Sequence, residues 1–336
     1  MAFIPFMLTG FEPKIVTPYP ILGFSEHSFF DSDQKVNRTL LIWYPVAPEI
    51  TGKPSSSAWD VFNVAIDAPL DSSQTNLRLI VLSHGYTGSP NNQSWLIREL
   101  VHQGFIVTAV QHRDLIDGKF HLNHWQRAQD ISALLDQFST TSLAKNIDMH
   151  KVGIAGFSLG GTTSIWAAGG KTSRLDSLIP GPEYAAPQDY VLANEALPTL
   201  NKAMMSKDWR ENRIQAAFIM APGWSWLFDL ESLQKISIPV YLIAAEADQI
   251  LVTKNNAGLF ARNIPKAYFQ AIPGKLNHYV FVSALSQNRR QAVDPKGEIQ
   301  FLFEEDPSTD RAWIQSQIAE EAVRFYKSTL LDKQCD

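Results

Sequence analysis

Short, bounded apolar runs alternate along this chain with stretches whose apolar residues recur at helical spacing. Residues 39–46 (TLLIWYPV) are β-branched and aromatic, and residues 78–83 (RLIVLS) form an apolar run that stops at His84-Gly85, so both predict strands. Residues 93–103 carry Trp95, Leu96, Leu100 and Val101 at helical spacing, and residues 105–110 are again a bounded apolar run. The alternation goes on to predict a helix over 126–138, a strand over 152–157 and a helix of small residues over 159–168. Beyond these it predicts strands over 215–221, 240–245 and 267–272, a helix near 255–262 and a final helix over 310–329. Strands alternating with helices imply an α/β fold, a mostly parallel central sheet flanked by helices on both faces.

The alternation breaks between Gly170 and Arg213, where a Pro- and Ser-containing stretch (SLIPGPEYAAPQDY) precedes a helical one (ANEALPTLNKAMM). This 170–213 segment reads as an insertion over the sheet, either a surface loop with a helix or a lid that walls a pocket, since long insertions in compact domains often carry function. Residues 52–57 (GKPSSS) read as a surface excursion. There is no repeat at fixed period, and 336 residues fit a single α/β domain carrying one insertion.

Composition narrows the function classes. With 45% hydrophobic and 19% charged residues, the chain has the material for a buried core and lacks the polar excess of disorder. A net charge of −5 with no run of Lys or Arg argues against nucleic acid as a partner. The one cysteine, Cys335, rules out an intrachain disulfide and a cysteine nucleophile in the body of the chain, and suits a reducing compartment. The apolar start MAFIPFMLTGFEPK has its first basic residue, Lys14, after the apolar run, whereas a signal peptide needs one before it. No stretch approaches the roughly 18 apolar residues of a spanning helix. The expectation is a soluble, cytoplasmic protein without a transmembrane segment.

The chemistry concentrates on a few loops. Gly156-Phe157-Ser158-Leu159-Gly160 lies between a predicted strand and a predicted helix, the setting in which a strained turn exposes a serine hydroxyl at the head of a helix. A hydroxyl is a poor nucleophile, so it needs a base, a group that orients the base, and donors for the oxyanion. The strand at 240–245 ends in Glu246-Ala247-Asp248-Gln249; Asp248 is the preferred orienting acid, with Glu246 as competitor. His278 follows the strand at 267–272, and because the other seven histidines precede Ser158, it alone meets the chain order nucleophile, acid, histidine. The oxyanion donors expected are the amide of Leu159 and that of Tyr86, in the loop Ser83-His84-Gly85-Tyr86-Thr87-Gly88, with His84 positioning that loop. Trp224 and Trp226 follow the strand at 215–221 and are candidates for an acyl pocket as much as for packing under the insertion. His112, Asp114, His121 and His124 are metal-ligand types whose spacing matches no zinc pattern, so no metal is expected there. The whole points to a carboxylic ester hydrolase working through an acyl-enzyme. An amidase with the same triad and a non-catalytic binding protein are the alternatives.

These motifs resemble those of the α/β-hydrolase superfamily, and within it the bacterial relatives of plasma-type platelet-activating-factor acetylhydrolase, often labelled predicted dienelactone hydrolases. Ile42-Trp43-Tyr44-Pro45 looks like that family's early strand, Ser83-His84-Gly85 its oxyanion loop, Gly156 to Gly161 its elbow and Asn277-His278-Tyr279-Val280-Phe281 its histidine segment; Arg213 to Pro222 is similar to its strand before the acid. The resemblance implies the α/β-hydrolase fold, hydrolysis of a small-molecule or lipid ester with a short or modified acyl chain, and no cofactor. True dienelactone hydrolases carry a cysteine where this chain has Ser158. The stretch from Gly85 through Trp95-Leu96 is also similar to the oxyanion region of cutinase-type polyester hydrolases, which keeps a polyester hydrolase or a lipase as the alternative.

Overall fold

The computed structural model describes residues 21–116, 118–172 and 200–331. Among these residues, ten strands form one sheet: β1 (Leu22–Asp31), β2 (Val36–Pro45), β3 (Lys53–Pro54), β4 (Asn63–Ile66), β5 (Arg78–Ser83), β6 (Phe105–Val110), β9 (Val152–Phe157), β10 (Ile214–Met220), β11 (Val240–Ala245) and β12 (Ala267–Ile272). A separate small hairpin pairs β7 (Leu115–Ile116) with β8 (Lys119–Phe120). Across the large sheet the order is β12-β11-β10-β9-β5-β6-β2-β1-β4-β3. All neighbours from β12 to β6 run parallel, and β2 pairs antiparallel with both β6 and β1. The sheet is thus mostly parallel, as the alternation predicts.

The helices are α1 (Ser94–His102), α2 (Gln126–Ser139), α3 (Leu159–Ala167), α4 (Lys202–Met205), α5 (Leu230–Gln234), α6 (Ala257–Asn263), α7 (Gln287–Val293) and α8 (Arg311–Leu330). Leu96 and Leu100 of α1 join Ile314, Ile318 and Tyr326 of α8 in one core cluster. Ile131 and Leu135 of α2 join Ile165 and Trp166 of α3 and Phe260 of α6 in another. Strands β5, β6, β9 and β11 are buried at all six positions. Covered on both faces, a parallel strand needs apolar residues everywhere, which is why these four read as unbroken runs.

The register sets up the site. Ser83 pairs with Gly156 across β5 and β9, Met220 with Phe157 across β10 and β9, and Ala245 with Ile272 across β11 and β12. The carboxyl ends of these five strands therefore share one edge, where ligands bind in open α/β sheets.

Some elements depart from the sequence expectations, and one expectation lies outside the described residues. Strand β1 is not predicted, because Gly23, Ser25, Glu26, His27 and Ser28 interrupt its apolar residues while Phe29 and Phe30 fall on opposite faces; it is held by its full-length pairing to β2. The surface excursion at 52–57 contributes the two-residue edge strand β3. Of the 170–213 insertion, residues 173–199 lie outside the described residues, and so does the lid reading that rests on them. The apolar N-terminal stretch and Cys335 lie outside them as well. Among the described residues, no helix is long and apolar enough to cross a membrane.

Candidate active site

Ser158 sits at the turn between β9 and α3 with φ 54° and ψ −119°, a conformation few residues other than glycine adopt. Two glycines make room for this turn. A Cβ on Gly156 would stand 2.1 Å from the carbonyl oxygen of Gly160, and one on Gly160 would stand 1.9 Å from that of Ser83. Both obstacles are backbone and cannot swing aside. The Ser158 amide donates to the Met220 carbonyl at 2.9 Å, which ties the turn to the end of β10.

The hydroxyl meets His278 across the sheet edge. Ser158 Oγ lies 3.0 Å from His278 Nε2, and His278 Nδ1 lies 2.7 Å from Asp248 Oδ2. With Nδ1–H donated to the carboxylate, Nε2 is left to accept the serine proton. The other oxygen, Asp248 Oδ1, accepts the amides of Ile250 at 2.9 Å and Leu251 at 2.8 Å, so the carboxylate is fixed as its own loop turns. His278 is 2% exposed and packs against Phe157 at 5.0 Å between ring centroids. Glu246, the competing acid, points to solvent, while Asp248 is buried.

A cavity of about 510 Å³ opens over Ser158 and His278. Tyr86, Leu159, Trp224 and Trp226 all line it, so both tryptophans face the site. Sequence reasoning passed over Trp59, Phe120, Tyr279 and Phe301, which complete an aromatic wall. They lie in a loop, the short strand β8 and two single-turn 3-10 helices, segments too short for a periodic pattern to mark the side chains that face the cavity. None of the described lining residues is Asp, Glu, Lys or Arg.

The four metal-type residues pack around the loop from Ser83 to Gly88 and its surroundings. Asp114 accepts Arg127 Nε at 2.8 Å and Arg127 Nη2 at 2.7 Å. Burial pushes the Asp114 carboxyl up, but the charge and hydrogen bonds of Arg127 outweigh it and hold the carboxyl below the usual range. His112 bridges Ser83 Oγ at 2.9 Å and Asp130 Oδ2 at 2.6 Å. His121 and His124 stack on each other with ring centroids 4.4 Å apart, and His124 lies edge-on to Tyr86. His84 faces the Gly85 carbonyl through Nδ1 at 2.7 Å and accepts the His112 amide on Nε2 at 3.0 Å, the loop-positioning part expected of it. Burial, first of all, keeps His84, His112 and His124 below the ordinary imidazole pKa. Arg127 was not anticipated. Its signal is that it is one of two charged residues, with Asp130, in a buried stripe of α2 that is otherwise Ala128, Ile131, Leu134, Leu135 and Phe138.

With this geometry in view, the likenesses to known proteins fall into place. The pattern of the PET hydrolase-like family matches residues 60–209, a span that contains Tyr86, Ser158 and Leu159 and ends before Asp248. The chain is 28% identical over 192 residues to cutinase est1 of Thermobifida alba, covering 55% of this chain and 54% of that protein. It is 25% identical over 198 residues to cutinase est2 of the same organism, covering 57% of this chain and 50% of that protein. The chain thus spans about half the length of these curated relatives. A ferulic acid esterase from Streptomyces cinnamoneus superposes with a TM-score of 0.61 at 17% identity, over 95% of this chain and 92% of that one, a likeness of fold. Sheet order, the strained serine at the head of α3 and the structural likeness together give the chain the α/β-hydrolase fold.

Proposed function

We propose that this protein is a carboxylic ester hydrolase in which Ser158 is the nucleophile, His278 the general base and acid, and Asp248 the group that orients His278. The observation that carries the reading is the chain of contacts Ser158 Oγ, His278 Nε2, His278 Nδ1, Asp248 Oδ2, at 3.0 and 2.7 Å, opening onto a cavity whose described lining residues carry no charge. Ser158 Oγ bonds to the ester carbonyl carbon as its proton passes to His278 Nε2, and the carbonyl electron pair moves onto oxygen. The amides of Tyr86 and Leu159 receive that oxyanion, each donor being worth about 3 kcal/mol in the transition state. Collapse breaks the bond to the alcohol oxygen, which takes the proton from His278. Water then gives a proton to the same nitrogen as its oxygen bonds to the acyl carbon; collapse breaks the bond to Ser158 Oγ, which takes that proton back from His278, and the acid is released.

A cavity whose described lining is uncharged and largely aromatic favours esters neutral on both sides of the scissile bond, because a buried charge without a partner is costly. Short or modified acyl esters, the acetylhydrolase-like reading, fit this description and include small-molecule and lipid esters. The cutinase relatives and the PET hydrolase-like match favour a second reading, a polyester hydrolase that works on chain ends or surface loops of a polymer. Nitrophenyl esters from acetyl to palmitoyl, run beside an aliphatic polyester film, separate the two. Preference for acetyl or butyryl with an intact film supports the first, and release of soluble acid from the film supports the second. Equal turnover by Ser158→Ala on every substrate would remove both.

A further inference from the structure

Arg127 and Asp114 take no part in the chemistry just described, yet both are buried and both are committed to one loop. Besides its two bonds to Arg127, Asp114 accepts the Thr87 amide on Oδ2 at 2.6 Å. Arg127 also donates Nη1 to the His84 carbonyl at 2.7 Å and Nη2 to the Gly85 carbonyl at 3.2 Å. The Gly85 carbonyl faces His84 Nδ1 at 2.7 Å and receives the Gly88 amide at 3.1 Å. A buried ion pair is a poor source of net stability, since desolvation offsets most of its attraction. Its geometry here favours another purpose.

The peptide plane supplies it. In a trans peptide the carbonyl and the following N–H point in opposite directions. Arg127 and His84 hold the Gly85 carbonyl from the buried side of the loop, so the Tyr86 N–H is turned the other way, toward the cavity that Gly85, Tyr86 and Ser158 line. The next residue needs the same support. Thr87 sits at φ 50°, a left-handed conformation that is unfavourable for a β-branched side chain, and its amide is pinned by Asp114.

We propose that the Arg127–Asp114 pair is a positioning clamp that aims the Tyr86 amide at the oxyanion formed on Ser158. The clamp acts on the transition state and leaves substrate binding alone. This inference rests on the ester-hydrolase reading of Ser158.

The test compares the full-length chain with two variants on nitrophenyl butyrate, counting active sites by the nitrophenol burst. Asp114→Asn/Arg127→Met removes both charges at similar volume, so neither ion is stranded. Arg127→Lys keeps the ion pair and loses the fork that spans two carbonyls. The clamp predicts that kcat per titrated site falls about 100-fold in the double variant, the scale of one lost oxyanion donor, and about 10-fold in Arg127→Lys. KM should stay within threefold in both. Affinity for an aryl trifluoromethyl ketone, which adds to the serine as a tetrahedral oxyanion, should fall in step with kcat. A merely structural role would reduce the number of titrated sites and leave kcat per site and ketone affinity unchanged. That result, or a loss confined to KM, in either variant would overturn the clamp. Wild-type turnover by Ser158→Ala would instead overturn the ester-hydrolase reading beneath it.

Discussion

The two sides of the cavity are shaped by different means. At the Ser158 turn the backbone does the work: Gly156 and Gly160 let α3 start against β9 and β5, and a single amide from Ser158 ties the turn to Met220. At the Tyr86 loop buried side chains do it: Arg127, Asp114 and His84 hold the carbonyls of His84 and Gly85 and the amide of Thr87. Both sides keep a non-glycine residue at positive φ, Ser158 at 54° and Thr87 at 50°. The first is supported by steric fit among neighbours in sequence and sheet. The second is supported by charge brought from α2 and from the loop after β6. A turn of the first kind fails when a methyl group is added, and one of the second kind fails when a charge or its fork is lost.

Substitutions that separate these two modes differ in size. The largest effect is expected from Gly160→Ala, whose new methyl would meet the Ser83 carbonyl. It should destabilise the fold by about 4 kcal/mol or more and abolish turnover, read by thermal melting and nitrophenyl ester hydrolysis. Next is Asp248→Asn, which leaves the shape of the site intact but removes the charge that fixes His278. It should lower kcat by about 10⁴, the scale seen when a triad carboxylate is made neutral, while Glu246→Gln stays within about twofold. Equal losses in the two would return the choice of acid to open competition. The clamp variants come third, at about 100-fold in kcat for the double variant and about 10-fold for Arg127→Lys.

The smallest effect concerns a buried carboxyl without a bidentate arginine. Asp60 receives the Ser55 hydroxyl and feels Arg289 at a distance; burial outweighs both and pushes its pKa from 3.8 up to about 6. The folded chain therefore keeps a proton that the unfolded chain has released. The stability this contributes is full below about pH 3.8 and is lost as pH rises through about 6. Between pH 4.5 and 7, Asp60→Asn should gain on the wild type by on the order of 2 kcal/mol in urea unfolding. An unchanged difference across that range would contradict the assignment and weaken the contrast with Asp114.

Legibility in the sequence follows the same division. Strands β5, β6, β9 and β11 were readable to the residue, because doubly covered strands must be apolar throughout and their ends are cut by turn residues; β12, an edge strand that is mostly half-buried, was readable as a short run rich in apolar and aromatic residues. The meeting of Ser158, His278 and Asp248 was legible because each lies in the segment that follows its strand, so chain order and strand ends bring them to one edge without any knowledge of packing. The clamp was not. Asp114 stood out only as a possible metal ligand, and Arg127 did not stand out at all, because their roles arise from contacts across 43, 42, 27 and 13 positions of sequence. Strand β1 was hidden for a related reason: its polar residues are tolerated by pairing to β2, which no window of its own sequence contains.

The most direct measurement is intact-mass analysis of the protein after exposure to a fluorophosphonate, followed by peptide mapping. The account predicts one adduct, on Ser158, formed rapidly by the wild type, absent from Ser158→Ala and slowed at least 100-fold in His278→Ala. No adduct on Ser158, or one formed at the wild-type rate without His278, would contradict it.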